Sequence, residues 1–516
     1  MTALRLLAAA FVIHLLLVLP PAPMPAAQAL IRLSPELPLI LLGLALLGRW
    51  GRLLVMAALL LLAVQKIADL AMISALGRPF NLLTDVTLIG SGIELLVDAT
   101  GGWRLLAMTA GVAAAALATG AALWWATGVW ARRRWPPSHR LALCLTAALA
   151  LGAAWLGQAW PGNGPYVLAR AEVLGRTAQD LRRIRQLAAE DPLADAPGLL
   201  SAIDRDVLVV FVESYGRASF DVPFHAGRHL PTLRRAESRL AGAGLAMRSG
   251  FLAAPTQGGQ SWLSHATFAN GLWIADQASH AAVLASGRQG LFHHARRAGF
   301  RTAAVMPAIT RPWPEAATMG FDRVLAASDL GYRGLPFNWV TMPDQFTLAA
   351  TDRLLRDGAG PPHLFAQVAL ISSHAPWVPV PDLLPWDRLG DGRVFDPMAV
   401  AGDPPEVVWR DRDRVRAAYR DAVDYSLSTV MDYALLHAGD PPLMIVLGDH
   451  QPAPWVAQDG GPDVAIHLIG PPHLVDRAAK WGFQPGLVPA EGSTAMPMDR
   501  MRDLILRGFG GKLPQA

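Results

Sequence analysis

The chain has 516 residues, with 45 Lys+Arg against 41 Asp+Glu, 52% hydrophobic residues and 17% charged ones. It is too apolar and too poor in charge for an ordinary soluble protein, where roughly a quarter of residues are charged. It is also too rich in aliphatic side chains for a disordered one. A single cysteine excludes a disulfide framework and any multi-cysteine metal site.

The basic excess invites a nucleic-acid partner until it is mapped. Residues 1–160 hold 11 Lys+Arg and 5 Asp+Glu, whereas residues 161–516 hold 34 and 36. Positive charge therefore belongs to the apolar part, which points to membrane topology and to no nucleic acid. Apolar runs of membrane length lie near 4–21, 30–48, 53–76, 105–131 and 141–160. A spanning helix needs about 20 such residues, because the hydrocarbon core is ~30 Å thick and each residue rises ~1.5 Å. The second run is the weakest, since Arg32 and Glu36 fall at its start. The first reads as an uncleaved helix or, through Ala27-Gln28-Ala29, as a signal peptide.

Short loops rich in Lys and Arg stay in the cytoplasm. Arg49 and Arg52 separate the second and third runs, and Arg132, Arg133, Arg134 and Arg140 the fourth and fifth. The loop 77–102 instead carries Asp85, Glu94 and Asp98. The expectation is a bundle of about five transmembrane helices over 1–160, with the N-terminus inside and everything after 160 outside the cytoplasm. Lys66 and Asp69, at i,i+3 in the third run, can face each other, as a functional intramembrane pair or as a snorkelling lysine paired with its neighbour. Cys144, in the fifth run, is expected to pack.

Residues 161–203 read as a helical linker: a charged stretch over 166–190, then a Pro/Ala-rich segment. Its Arg170, Arg176, Arg182, Arg183 and Arg185 are expected on a solvated or headgroup-facing side. From 204 to 516 the pattern changes. Apolar runs at 206–212, 300–306, 364–371, 443–447 and 464–469 predict buried strands. Helical patterns separate them, notably 411–438 with Val415, Ala418, Ala422, Tyr425 and Leu427 inward. The predicted fold class is α/β, a sandwich around a mostly parallel sheet. Ligands of such sheets bind outside the carboxyl ends of the strands.

Three strands end in polar residues: Glu213 after the first, Ser372-Ser373-His374 after the one at 364–371, and Asp449-His450 after the one at 443–447. Glu213, Asp449 and His450 offer two oxygens and one nitrogen, a suitable set for one divalent ion. The loop Pro255-Thr256-Gln257-Gly258-Gly259-Gln260-Ser261 leads into a helical stretch, where free N–H groups favour an anion. Ser261 is there as an N-cap, as a nucleophile activated by a metal, or as both.

Together these residues resemble the alkaline phosphatase superfamily, specifically the sulfatase-like branch of lipoteichoic acid synthases and phosphoglycerol transferases. Val-Phe-Val-Glu213-Ser-Tyr-Gly, Thr256-Gln-Gly-Gly-Gln-Ser261, Ser-Ser-His374-Ala-Pro and Gly-Asp449-His450 carry the resemblance, in that chain order, over most of residues 1–475. It implies one divalent metal ion (Mn²⁺, Zn²⁺ or Mg²⁺) on Glu213, Ser261, Asp449 and His450, with Ser261 as nucleophile and His374 on the substrate side. Three features depart from the pattern. The transferases usually carry threonine where Ser261 stands. The Trp-x-Arg that holds substrate phosphate reads Trp313-Pro314-Glu315, with Arg311 as a substitute from the other side. The formylglycine motif of true sulfatases is absent, because Leu263 and His265 fill its places.

Softer candidates are His265, one helical turn past Ser261, for substrate contact or packing, and His467, on a strand, for core or ligand. Trp313, Trp377 and Trp455 are expected to line the mouth or to pack, and Met342-Pro343-Asp344-Gln345 has no chemical role by sequence. The resulting expectation is a multi-pass membrane enzyme that moves a phosphoglycerol-type headgroup from a lipid donor to a glycan or polymer acceptor. The alternatives are a phosphodiesterase, phosphatase or sulfuric-ester hydrolase with water as acceptor, and a non-catalytic membrane scaffold.

Overall fold

The computed structural model describes residues 2–25, 28–29, 32–76, 78–86, 89–90, 102–157, 162–357 and 362–511. Ala27, Glu94 and Asp98, named above, lie outside them, as do residues 158–161 around the expected end of the membrane segment and residues 512–516 at the end of the expected outer domain. The described chain divides into two compact units, Met1–Asp180 and Leu181–Ala516. The division falls inside the expected linker.

The first unit holds α1 (Thr2–Leu17), α2 (Glu36–Leu76), α3 (Gly102–Ala131), α4 (Pro137–Trp155) and the start of α5 (Gly164–Ala189). Glu36–Ser74, Leu106–Ala131 and Pro137–Trp155 are long and apolar enough to cross a membrane; Ala3–Leu17 is apolar but shorter. The five expected runs thus appear as four helices, because α2 contains both the second and the third. Within α2, Gly48 leaves helical geometry at φ 56° and ψ −126°. A Cβ on Gly51 would stand 3.0 Å from the Gly43 carbonyl oxygen, although residues eight apart in a straight helix are ~12 Å apart along its axis. The chain therefore bends sharply at Gly48. The arm before the bend measures about 18 Å, short of the ~30 Å hydrocarbon core.

Ile13, Leu44, Leu59, Leu123 and Ala126 form the inner packing of this unit, while Leu61, Val112 and Leu149 are more than 70% exposed. Helices apolar on both inner and outer faces suit a lipid surround. The expected Lys66–Asp69 pair is not made. Lys66 Nζ donates to the Leu17 carbonyl at 2.9 Å, and Asp69 accepts from Tyr166 Oη at 2.6 Å and Phe80 N at 2.9 Å. Both charged groups thus bond to distant segments rather than to their helix neighbour. Arg170 turns toward Asp69 at 3.7 Å, whereas Arg176, Arg182, Arg183 and Arg185 are exposed; Cys144 is not buried.

The second unit is built on one sheet: β1 (Val207–Val212), β2 (Ala246–Ala253), β3 (Arg301–Met306), β4 (Arg323–Ala326), β5 (Leu364–Leu370), β6 (Leu443–Gly448), β7 (Asp463–Gly470), β8 (Gln484–Pro485) and β9 (Met496–Pro497). Its order is β4-β3-β5-β1-β6-β7-β2-β8, with β9 beside β2. The first five strands of that order run parallel, and β7 runs against both β6 and β2. The five expected strands are all present in a mostly parallel sheet; β2, β4 and the two-residue β8 and β9 were not expected.

Alternation along β1 divides the core. Leu208, Val210 and Val212 point to one face, against α6 (Pro223–Gly242) and α11 (Arg412–Leu436). Val207, Val209 and Phe211 point to the other, against α7 (Ser261–Asn270), α9 (Leu291–Arg297) and α12 (Met501–Gly508). α8 (Gln277–Leu284) lies beside α7, and α10 (Asp344–Thr351) packs on the first face. Each fully buried side chain of β1 contributes about 1.5–3 kcal/mol relative to exposure.

The segment expected as a Pro/Ala-rich linker joins this core through Leu193, Leu199, Leu200 and Ile203. It is also clamped to the end of the unit. Arg502, fully buried on α12, donates to Asp191 at 2.5 Å. Ala202 N donates to the Phe509 carbonyl, and Gly511 N to that of Gly198.

Candidate metal centre and nucleophile

Strand β1 is central, and its last residue, Val212, lies in parallel register with Leu370 of β5 and Gly448 of β6. Whatever follows these three strands emerges together, beyond the carboxyl ends of the strands. Glu213 follows β1, Ser372-Ser373-His374 follow β5, and Asp449-His450 follow β6. The crossing is tight: a Cβ at position 448 would stand 1.8 Å from the Tyr215 carbonyl oxygen, so only glycine fits. Ser214 takes a left-handed backbone at φ 58° to turn the chain there. Its carbonyl accepts from buried Tyr419 Oη at 2.9 Å.

Glu213, Asp449 and His450 are buried, and they place three ligand atoms within 4.8 Å of one another. Asp449 Oδ1 is held by the N–H groups of Ser214 at 2.8 Å and His450 at 2.7 Å. His450 Nδ1 donates to the Gln451 carbonyl at 2.8 Å, which leaves the ring's lone pair on Nε2. That Nε2 is buried 3.2 Å from Glu213 Oε1 without forming a hydrogen bond to it. Ser261 Oγ, half-buried, donates to Glu213 Oε2 at 3.2 Å.

Electrostatics favour a cation here. Burial opposes ionisation of Glu213, but the charges of His450 and His374 outweigh it and hold that carboxyl well below the usual range. Burial, and then the Glu213 charge, push Asp449 upward. Burial disfavours the charged His450 ring, yet Asp449 and Glu213 lift it to about 9. Without an ion the two carboxyls draw a proton onto the Nε2 lone pair that a metal would otherwise take. A divalent ion would satisfy both carboxylates and the orphaned imidazole lone pair, so the donor set fits one.

Ser261 is the first residue of α7 and not its cap. The cap position falls on Gln260, whose left-handed backbone (φ 66°) turns the serine inward. Gly258 N donates to the Gln451 carbonyl at 2.7 Å, fastening this loop to the chain beyond β6. Gln451 accepts from Ala218 N and donates to Asp459 and Gly461. Asp344 takes the role that its motif lacked by sequence. Fully buried, it accepts from Ile371 N and Ser372 N at 2.8 Å and from Ser426 Oγ at 2.6 Å, fixing the turn that carries His374. Ser373 Oγ donates to the Glu213 carbonyl at 2.6 Å. Of these holding residues, Gln451 and Ser373 adjoin motif residues; that adjacency was the available signal.

His374 is half-buried, and its Nδ1 donates to the Ala375 carbonyl at 2.6 Å, leaving Nε2 for a ligand. His265 is buried, with its ring 4.0 Å from that of Phe211; Nδ1 faces Gln367 at 3.5 Å and Nε2 has no hydrogen-bond partner among the described residues. Burial lowers its pKa to about 4. His467 is not available to a substrate. It is fully buried in β7, with Nε2 bonded to Tyr215 Oη at 2.9 Å and Nδ1 to Ser249 Oγ at 2.7 Å. Arg311 is exposed in the loop after β3; Trp313 packs partly against the core, and Glu315 is exposed on the following turn. Beside His374, Trp377 is buried and stacks on Trp409 at 5.7 Å and 7°, and Trp409 meets Trp455 edge-on at 6.2 Å.

Carboxylates, an imidazole and a helix-start serine thus meet beyond the carboxyl ends of three parallel strands. The Sulfatase family model matches residues 205–463, half of the chain, and the chain belongs to that family. No curated protein matches the chain. Among solved structures it is similar to the lipoteichoic acid synthase LtaP of Listeria monocytogenes, at 12% identity and TM-score 0.38 over 62% of this chain and 81% of that one. The Streptococcus pyogenes phosphoglycerol transferase GacH is similar at 11% and 0.35 over 65% and 91%. The periplasmic domain of EptC from Escherichia coli is similar at 14% and 0.38 over 59% and 82%.

Proposed function

We propose that the protein is a membrane-anchored, metal-dependent transferase that moves a phosphoglycerol-type group through a phosphorylated Ser261. The observation that carries this reading is the Ser261 hydroxyl directed at Glu213, beside Asp449 and His450. A divalent ion on these four residues supplies, when bound, charge that lowers the serine pKa and offsets phosphoryl charge. Ser261 Oγ passes its proton toward Glu213 Oε2, its hydrogen-bond acceptor, and forms the bond to phosphorus as the bond to the leaving oxygen breaks. His374, when its Nε2 also carries a proton, donates it to the phosphoryl oxygens or passes it to the leaving oxygen. An acceptor hydroxyl then takes the group from Ser261 and regenerates the serine.

The N-terminus lies in the cytoplasm and the second unit outside it. The support is the placing of Arg49, Arg52, Arg132, Arg133, Arg134 and Arg140 in alternate connections. The donor is a membrane lipid with a phosphodiester headgroup, and the acceptor a glycan or polymer. One observation favours a second reading, with water as acceptor: Glu315 is exposed where an arginine would hold substrate phosphate. Incubation of the full-length protein with labelled phosphatidylglycerol and Mn²⁺, followed by acid quench and peptide mass spectrometry, tests the mechanism. Phosphoglycerol on the Ser261 peptide is expected, and turnover without it overturns the serine route. Free glycerol phosphate formed equally with and without added glycan identifies the hydrolase.

A further inference from the structure

A cleft of about 620 Å³ opens in the helical unit, and none of the residues proposed for catalysis lines it. Arg5, Arg52, Arg132 and Arg133 surround it together with Trp124 and Trp125, and no carboxylate is among its lining residues within the described chain. Three helices deliver the arginines: α1 brings Arg5, α2 brings Arg52 just past its bend, and Arg132 and Arg133 directly follow α3.

Arg52 is folded into the bundle, with 7% of its surface exposed. Its guanidinium lies 3.3 Å from the centre of the Trp124 ring, donates to the Trp124 carbonyl, and approaches Thr127 Oγ1 at 3.4 Å. Gly128 leaves it room, since a Cβ there would stand 3.1 Å from Nη2. Trp124 and Trp125 are each nearly half exposed, as aromatic side chains at headgroup depth are.

Membrane topology needs basic residues in loops; it does not need one buried in the bundle or four around one cavity. Four guanidinium groups about a concave volume repel one another, and an anion relieves that repulsion. Guanidinium forks match phosphate oxygens in pairs, and the volume suits a headgroup-sized ligand. We propose that this cleft binds a phosphate-bearing anion, either the phosphodiester of a lipid headgroup or a soluble phosphate ester.

The test uses delipidated full-length protein in detergent, titrated with phosphatidylglycerol, phosphatidylcholine and glycerol phosphate, and read by native mass spectrometry. R132Q/R133Q removes two exposed lining charges. R134Q/R140Q removes two exposed charges that do not line the cleft. Binding at the catalytic unit is common to all three proteins and cancels in the comparison. At roughly fivefold per arginine, R132Q/R133Q is expected to weaken phosphatidylglycerol binding about 25-fold, with R134Q/R140Q within twofold of wild type. Competition by glycerol phosphate assigns the site to soluble esters, and its absence assigns it to lipid. Equal losses in the two variants, or equal binding of phosphatidylcholine, overturn the proposal. R52Q should lose binding further; because it can also unfold the bundle, the exposed pair is the deciding variant.

Discussion

Ser261 Oγ donates to Glu213 Oε2 across 3.2 Å, joining the first residue of α7 to the residue that directly follows β1, 48 positions earlier. Replacing the serine removes the only atom of that side chain that can bond to phosphorus. Ser261→Ala is expected to lower kcat by about a thousandfold or more while leaving metal uptake in place. Full turnover by metal-loaded Ser261→Ala would refute the nucleophile.

Glu213, Asp449 and His450 share a buried site that is short of positive charge. Added Mn²⁺ or Zn²⁺ at a hundred times its Kd should stabilise the protein by about 2.7 kcal/mol, a rise of roughly 2–4 °C in Tm. Chelation should reverse the shift, and Asp449→Asn should abolish it. A thermal scan with and without ion decides; identical shifts in wild type and Asp449→Asn would place the ion elsewhere.

At Gly448 the neighbouring strand end leaves no room for a methyl group. Gly448→Ala must move Tyr215, and with it Glu213, so a loss of about 3 kcal/mol or more is expected together with metal binding. Gly460→Ala, where nothing lies within 4 Å, is the matched control and should be near neutral. Urea midpoints of the two variants give the comparison.

Burial lowers the pKa of His229 to about 4 and that of His467 to about 3, against about 6.5 in the unfolded chain. Between those values the unfolded state takes up protons that the folded state refuses. Their contribution is therefore complete above pH 6.5 and is lost as pH falls toward 4, at about 1.4 kcal/mol per pH unit for each ring. Unfolding midpoints that stay flat from pH 7 to 4.5 would contradict this. His467→Gln should flatten the slope.

The strand-end residues were legible because a polar side chain directly after a buried apolar run is a local pattern. Strand β2 was not, because Arg248, Ser249 and Gly250 interrupt its apolar character. Ser249 is tolerated there since it bonds to His467, a partner 218 residues away. The same long-range bonding hid the role of His467, which sequence left open between core and ligand. Spacing suggested a Lys66–Asp69 pair, but Leu17 and Tyr166 offered each a better partner from elsewhere in the chain. Ser261 looked like a helix cap because helix starts favour serine; the left-handed turn at Gln260, which frees its hydroxyl, leaves no such signature.

The clamp between Asp191 and Arg502, reinforced by the Ala202–Phe509 and Gly198–Gly511 backbone bonds, sets an order of events during synthesis. Every residue of the proposed centre has been made by His450, yet the strap that closes the unit is more than fifty residues further on. A chain made from its N-terminal end therefore holds the residues of its chemistry before it can lock its framework. A stop codon between His450 and Arg502 would leave every residue of the proposed centre in an unfastened domain.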